Sequence, residues 1–220
     1  MSRSGLLCVF AKAPLPGMVK TRLIPAIGAE RAARLAEAGL RDTWTLATRN
    51  GQARLLLDGD AATLPTLTPH PQILRQSTGD LGARLSACFR ELLEQAPWVI
   101  AVGTDSPGLP QAALHAAMAW LGGGGSAPRA VLGPSRDGGY YLLGLSAWQK
   151  TLLDDLPWSQ ATTLSATRAR LLARGFAVSE TEPYFDVDDA DDLRHLLSVA
   201  QHPGFEAPAT RALLRAWERG

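Results

Sequence analysis

Apolar runs of strand length alternate with longer stretches of helical spacing along most of the 220 residues, the pattern of successive βαβ units in an α/β domain. Residues 5–12 are short and apolar enough to form a strand covered on both faces. They run into the loop Ala13-Pro14-Leu15-Pro16-Gly17. Beyond Gly28, residues 29–50 are rich in Ala, Leu, Arg and Glu, with apolar positions at helical intervals, and predict a long helix. Residues 52–57 and 72–76 predict a second and a third strand. Asp80 is placed to cap a helix reaching residue 95, ahead of Pro97. Trp98-Val99-Ile100-Ala101-Val102, bounded by Pro97 and Gly103, has the pattern of a central strand, followed by a helix over 110–121. Further strands are predicted over 130–133, 140–144 and 176–181, and helices over 147–153, 163–174, 189–200 and 209–219. The four glycines at 122–125 lack a basic residue and a following helix start, so they read as a turn without chemistry. With no internal repeat and no linker, the expectation is one domain over 1–200 with a tail helix within 201–220 packed on it.

Composition narrows the class. Hydrophobic residues at 46% and charged residues at 20% describe an ordinary globule, and no apolar run approaches membrane-spanning length. The 22 basic and 21 acidic residues nearly cancel, which disfavours nucleic acid and anionic membranes as partners. Cys8 and Cys88 sit among apolar neighbours and read as buried free thiols. The first five residues lack a secretory pattern, so a cytoplasmic protein is expected. Only three of the cations are lysines, and two of them, Lys12 and Lys20, fall in one loop.

Ligands of open α/β sheets sit beyond the carboxyl ends of the strands, so the residues after each strand carry the candidate chemistry. The segment from Lys12 to Arg22 gathers Lys12, Lys20 and Arg22 around Gly17 in a loop stiffened by prolines. Such a loop suits a diphosphate or triphosphate, although scattered solvated charge is the bland alternative. Gln76-Ser77-Thr78-Gly79-Asp80-Leu81-Gly82 leads into a helix, where small residues admit an anion or a flat base. Helix capping alone would also explain it. Asp105, in Gly103-Thr104-Asp105-Ser106-Pro107, follows the central strand and is placed to ligate a hard divalent cation or to cap a turn. Five of the 13 aspartates fall within 186–192. In an extended segment Asp186 and Asp188 share one side and can converge on an ion, while Asp189, Asp191 and Asp192 suit the start of the next helix. Asp137, Gly138, Gly139 and Tyr140 read either as an acceptor or sugar pocket or as a hairpin turn. No P-loop, dinucleotide fingerprint or nucleophile elbow is present, and the four histidines lack zinc-ligand spacing.

Phe10-Ala11-Lys12-Ala13-Pro14, Pro16-Gly17, Val19-Lys20-Thr21-Arg22-Leu23, Gly103-Thr104-Asp105-Ser106-Pro107, Asp137-Gly138-Gly139-Tyr140-Tyr141 and Asp186-Val187-Asp188 together resemble the bacterial rSAM/selenodomain-associated transferases. Those belong to the glycosyltransferase-A-like nucleotide-diphospho-sugar transferases. The resemblance runs from residue 5 to about 197 and leaves the tail outside. Lys20-Thr21-Arg22-Leu23 with the following helix is also similar to the opening of the phospholactate guanylyltransferases. The resemblance implies a Rossmann-like, three-layer α/β glycosyltransferase-A fold with a mostly parallel central sheet. It also implies nucleotide binding by Lys12, Ala13, Gly17, Lys20, Arg22, Gln76, Gly79 and Gly82, magnesium or manganese on Asp105, Asp186 and Asp188, and catalysis resting on Lys20, Arg22 and Asp105. The implied partners are a nucleoside triphosphate or nucleotide-sugar and a small acceptor. Many glycosyltransferases of this fold carry Asp-x-Asp after the central strand, whereas Thr104-Asp105-Ser106 offers one carboxylate, a nucleotidyl-type arrangement. A nucleotide-binding regulator without turnover is the alternative function.

Overall fold

The computed structural model describes residues 4–219. Seven strands form one sheet: β1 (Leu6–Lys12), β2 (Gln52–Asp58), β3 (Ile73–Arg75), β4 (Val99–Gly103), β5 (Arg129–Pro134), β6 (Tyr140–Leu145) and β7 (Ala177–Glu180), in the spatial order β3-β2-β1-β4-β6-β5-β7. All neighbours are parallel except β6, which is antiparallel to both β4 and β5. Alternate side chains of each strand enter different cores. Leu7, Val9, Ile100 and Val102 meet α1 (Ile24–Asn50) and α3 (Gln111–Gly122) on one face. Leu6, Cys8, Val99 and Ala101 meet α2 (Leu81–Leu92) and α4 (Thr163–Ala173) on the other. The result is the expected three-layer, mostly parallel α/β architecture. A third cluster joins α1, α5 (Ala190–Val199) and α6 (Pro208–Glu218) through Ala32, Leu35, Leu196 and Leu214.

Local chemistry explains the boundaries. Gly28 has a φ of 77°, so α1 is broken there and its long regular stretch begins beyond that glycine. Asp80 accepts a hydrogen bond from the Ala83 amide and starts α2. Asp189 accepts from the amides of Asp191 and Asp192, and the Asp192 carboxylate accepts in return from Asp189, a reciprocal box that starts α5. No side chain of its own caps α6. Instead, the buried Asp42 carboxylate on α1 accepts from the amides of Ala209 and Thr210, each at 2.8 Å. Both cysteines are buried and free.

The helix expected over 147–153 does not form; that segment is a series of turns. Thr151 and Asp155 are left-handed, with φ of 62° and 55°. The carbonyls of residues 151 and 154 accept from Arg170 of α4, and that of residue 150 from Arg174 just beyond it, which ties these turns to the helix. Leu152 and Leu153 are thereby driven fully into the core. No helix among the described residues is long and apolar enough to cross a membrane.

Candidate active site

The loops after β1, β3 and β4 and the segment after β7 meet at the carboxyl edge of the sheet and enclose a cavity of about 690 Å³. Backbone pairing sets the late segment in place. The amides of Thr181, Tyr184 and Val187 donate in turn to the carbonyls of Leu132, Pro134 and Asp105. Phe185 and Val187 are buried in the third cluster, so the intervening Asp186 and Asp188 face the cavity.

Three carboxylates, Asp105, Asp186 and Asp188, line this edge together with Lys20. Lys20 adopts a left-handed conformation, with φ of 48°, between the buried anchors Val19 and Leu23. Its side chain is only 6% exposed. The Nζ forms an ion pair with Asp105 Oδ1, donates to the Val187 carbonyl at 2.6 Å and lies 3.8 Å from Asp188 Oδ1. Asp186 accepts a hydrogen bond from the buried Ser106 hydroxyl. Burial raises the pKa of Asp186 to about 6; the Ser106 bond opposes the rise, and the charges of Asp105, Asp188 and Asp137 add to it. Burial also raises Asp188, against the pull of Lys20.

Lys12, Arg22 and Arg84 extend the basic wall of the same cavity. Gln76 faces it as well, but its Nε2 donates to the carbonyls of Ala11 and Leu56 at 3.0 and 2.9 Å. Its Oε1 accepts from Arg84 Nη1 at 3.1 Å. Arg84 also reaches Asp58 Oδ2 at 2.7 Å, and its Nε donates to the Gly79 carbonyl at 3.1 Å. The side chain of Gln76 is therefore spent on joining β1 and β2 to Arg84. Neither Arg84 nor Ser106 carries an expected role in the sequence pattern. The hydroxyl beside Asp105 was a legible signal for Ser106, whereas the partners of Arg84 come together only in the fold.

Asp137 and Tyr140 line the cavity, and residues 135–139 form the hairpin turn between the antiparallel β5 and β6. Asp137 Oδ1 closes that turn by accepting from the Ser135 hydroxyl and from the Gly139 amide. The Tyr140 ring packs edge-on against Trp158, and burial drives its hydroxyl pKa upward. Gly79 lines the cavity, whereas Ala13, Gly17, Gly82, Gly138 and Gly139 are not among its lining residues. Ala13 packs against Gly59. Gly17 is an exposed turn residue with φ of 80°. A Cβ at Gly82 would collide with Trp158, and one at Gly138 with the Ala161 carbonyl. Gly39 on α1 is a further tight point, because a Cβ there would lie 2.5 Å from the Thr104 carbonyl, directly before Asp105.

Among the described residues, no group of three or more His, Cys, Asp or Glu side chains is arranged to hold a metal ion by itself. Asp105, Asp186 and Asp188 line the same cavity as the basic wall. That set fits a hard cation of the magnesium kind, which takes one or two carboxylates and completes its shell with water and substrate phosphates.

Comparison with known proteins gives the arrangement a context. A crystal structure from Desulfovibrio desulfuricans G20, provisionally assigned as a nucleotide-diphospho-sugar transferase, is 27% identical with a TM-score of 0.85, covering 100% of this chain and 96% of that one. The 4-diphosphocytidyl-2C-methyl-D-erythritol synthase of Anaerococcus prevotii is 11% identical with a TM-score of 0.57, covering 91% and 99%. Rv0371c of Mycobacterium tuberculosis H37Rv, in complex with manganese, is 18% identical with a TM-score of 0.51, covering 90% and 100%. The last two show likeness of fold alone, and the fold is that of the nucleotide-diphospho-sugar transferase superfamily. No curated protein matches the chain. The model of one protein family matches residues 41–160, and the chain belongs to that family, described as an uncharacterized protein conserved in bacteria (DUF2064).

Proposed function

We propose that the chain is a divalent-metal-dependent transferase that binds a nucleoside triphosphate or a nucleotide-sugar and transfers its nucleotidyl or glycosyl group to a small acceptor. The observation that carries this reading is the single cavity in which Lys12, Lys20, Arg22 and Arg84 face Asp105, Asp186 and Asp188. Lys12, Lys20 and Arg22 hold the phosphates and stabilise the charge that develops on the departing group. Asp105, with Asp186 and Asp188, would hold magnesium or manganese, which would supply neutralisation of phosphate oxygens. Gly79 leaves room at one wall for the base, with Gln76 as the brace behind it. Asp137 and Tyr140 border the acceptor side. Catalysis rests on positioning and charge neutralisation. In nucleotidyl transfer an acceptor phosphate oxygen bonds to the α-phosphorus and pyrophosphate leaves. In glycosyl transfer an acceptor oxygen bonds to the anomeric carbon, a nucleoside diphosphate leaves, and the acceptor's proton passes to solvent. The lone carboxylate after β4 favours the nucleotidyl form. In this reading residues 1–200 are the transferase unit, 201–220 its appendage, and the nucleotide pool of the cytoplasm its supply.

The pure protein with magnesium or manganese, offered each common triphosphate and a panel of nucleotide-sugars with candidate acceptors, should release pyrophosphate or nucleoside diphosphate, and the product identifies the reaction. Binding of no nucleotide overturns the reading. Tight binding with no product under any combination turns it into a regulator. Asp105→Ala should weaken metal-dependent nucleotide binding by about tenfold or more, since it removes a charged ligand; unchanged binding would take Asp105 out of the site.

A further inference from the structure

The ammonium of Lys20 already holds the place between two of the three acids. It is ion-paired to Asp105, lies 3.8 Å from Asp188, and is fixed on the Val187 carbonyl that separates Asp186 from Asp188. With its side chain 6% exposed, it contacts these groups directly rather than through solvent. A cation bound by Asp105 and Asp188 would meet a like charge at this distance, and the two would repel. Lys20 and a metal therefore compete for the same carboxylates. The left-handed backbone at residue 20 and the buried neighbours Val19 and Leu23 keep the lysine stem anchored at the rim, so the ammonium can leave the acids by side-chain rotation.

We propose that Lys20 is a built-in counter-ion of the metal-free site and is displaced from Asp105 and Asp188 when a divalent cation enters, freeing its ammonium for the phosphates of the incoming nucleotide. This rests on the function proposed above and adds to it a coupling. Metal entry releases the phosphate-binding lysine, and phosphate capture of that lysine opens the metal site, so each ligand raises the affinity for the other by the same factor. Lys20 is thus a positioning residue for the acids before it is a ligand for the nucleotide.

Manganese binding without nucleotide, followed by electron paramagnetic resonance, tests this. Lys20→Met removes the charge and keeps the stem, and should bind manganese about tenfold or more tightly than the native chain, within the range typical of coupled sites. Adding Asp105→Asn should erase the gain. Equal manganese affinity in the native chain and the variant, with both binding, overturns the displacement while leaving the transferase reading intact. A gain that survives Asp105→Asn overturns it too, as does absence of manganese binding in every form, whereas the transferase reading stands or falls by metal-dependent nucleotide binding. Should Lys20→Met fail to fold, the native chain decides the matter by acetic anhydride labelling and mass spectrometry. Lys20 should be shielded without metal and labelled several-fold more at saturating manganese, with Lys12 and Lys150 unchanged. Lys20 labelling indifferent to manganese rejects the proposal.

Discussion

Asp186 shows most clearly how one side chain can be set against the stability of its own fold. Its carboxyl is buried beside Ser106 and near the charges of Asp105, Asp188 and Asp137, and its pKa stands at about 6 instead of the ordinary 3.8. The folded state thus holds this proton more tightly than the unfolded one. The associated stability is fully present below about pH 4, falls as pH rises, and is lost above about pH 6. Raising the pKa from 3.8 to about 6 corresponds to about 3 kcal/mol. In the metal-free protein at pH 7.5, Asp186→Asn should therefore raise the melting temperature by roughly 5 °C or more, because the amide can still accept from Ser106 and carries no charge. At pH 4 the gain should vanish. Calorimetry at the two pH values checks both statements, and a variant less stable than the native chain at pH 7.5 would show that the Asp186 charge is well compensated. Metal-dependent nucleotide binding should fall in the same variant. That opposition between stability and ligand binding is the expected behaviour of a carboxylate kept for a bound cation.

Between elements, the decisive contact is the approach of α1 to the loop after β4. Gly39→Ala would bring a Cβ to 2.5 Å from the Thr104 carbonyl, a backbone atom that cannot step aside alone, so α1 or the Asp105 loop must move. The expected cost is about 1–3 kcal/mol in denaturant unfolding, with weakened metal-dependent nucleotide binding. Gly124→Ala, at an exposed loop position where a Cβ would meet nothing within 4 Å, should lie within about 0.5 kcal/mol of the native chain. Equal stability of the two variants would mean that the α1 contact is slack. Gly39 also marks where the sequence stops being informative. In Ala36-Glu37-Ala38-Gly39-Leu40 it is only a weak helix position, and its reason lies 65 residues further along the chain. Strands β1, β4, β5 and β6 were legible because their apolar runs are covered on both faces. The charged loops were legible because lysine is rare and aspartate is clustered. The turns that replace a helix over 147–153 were not, since they are left-handed at Thr151 and are held by Arg170 and Arg174 from a later element. Nor was the use of Gln76 as a brace, because its partners Ala11 and Leu56 belong to other strands. Local pattern fixes which residues reach the sheet edge; which of their polar atoms remain available is settled by contacts distant in sequence.

For the whole molecule, the formal charge of +1 conceals a separation at one edge of the sheet, where Lys12, Lys20, Arg22 and Arg84 share a cavity with Asp105, Asp186 and Asp188. Without ligand, part of this field is neutralised internally by Lys20, and burial disfavours the charged forms of Asp186 and Asp188. A metal–nucleotide complex brings both signs of charge at once and matches both walls, whereas either component alone leaves one wall opposed to it. Binding to the folded state alone at 100 times its dissociation constant adds about 2.7 kcal/mol of stability. For a chain of 220 residues that is roughly 5–10 °C in melting temperature. Metal and nucleotide together should therefore produce a shift larger than the sum of the shifts given by each alone, measured by differential scanning calorimetry at fixed concentrations. In Asp105→Ala the excess should disappear, because the coupling runs through the carboxylate that Lys20 and the metal share. A strictly additive shift in the native chain would mean that the two ligands bind independently, and that the charges at this edge are neighbours without being partners.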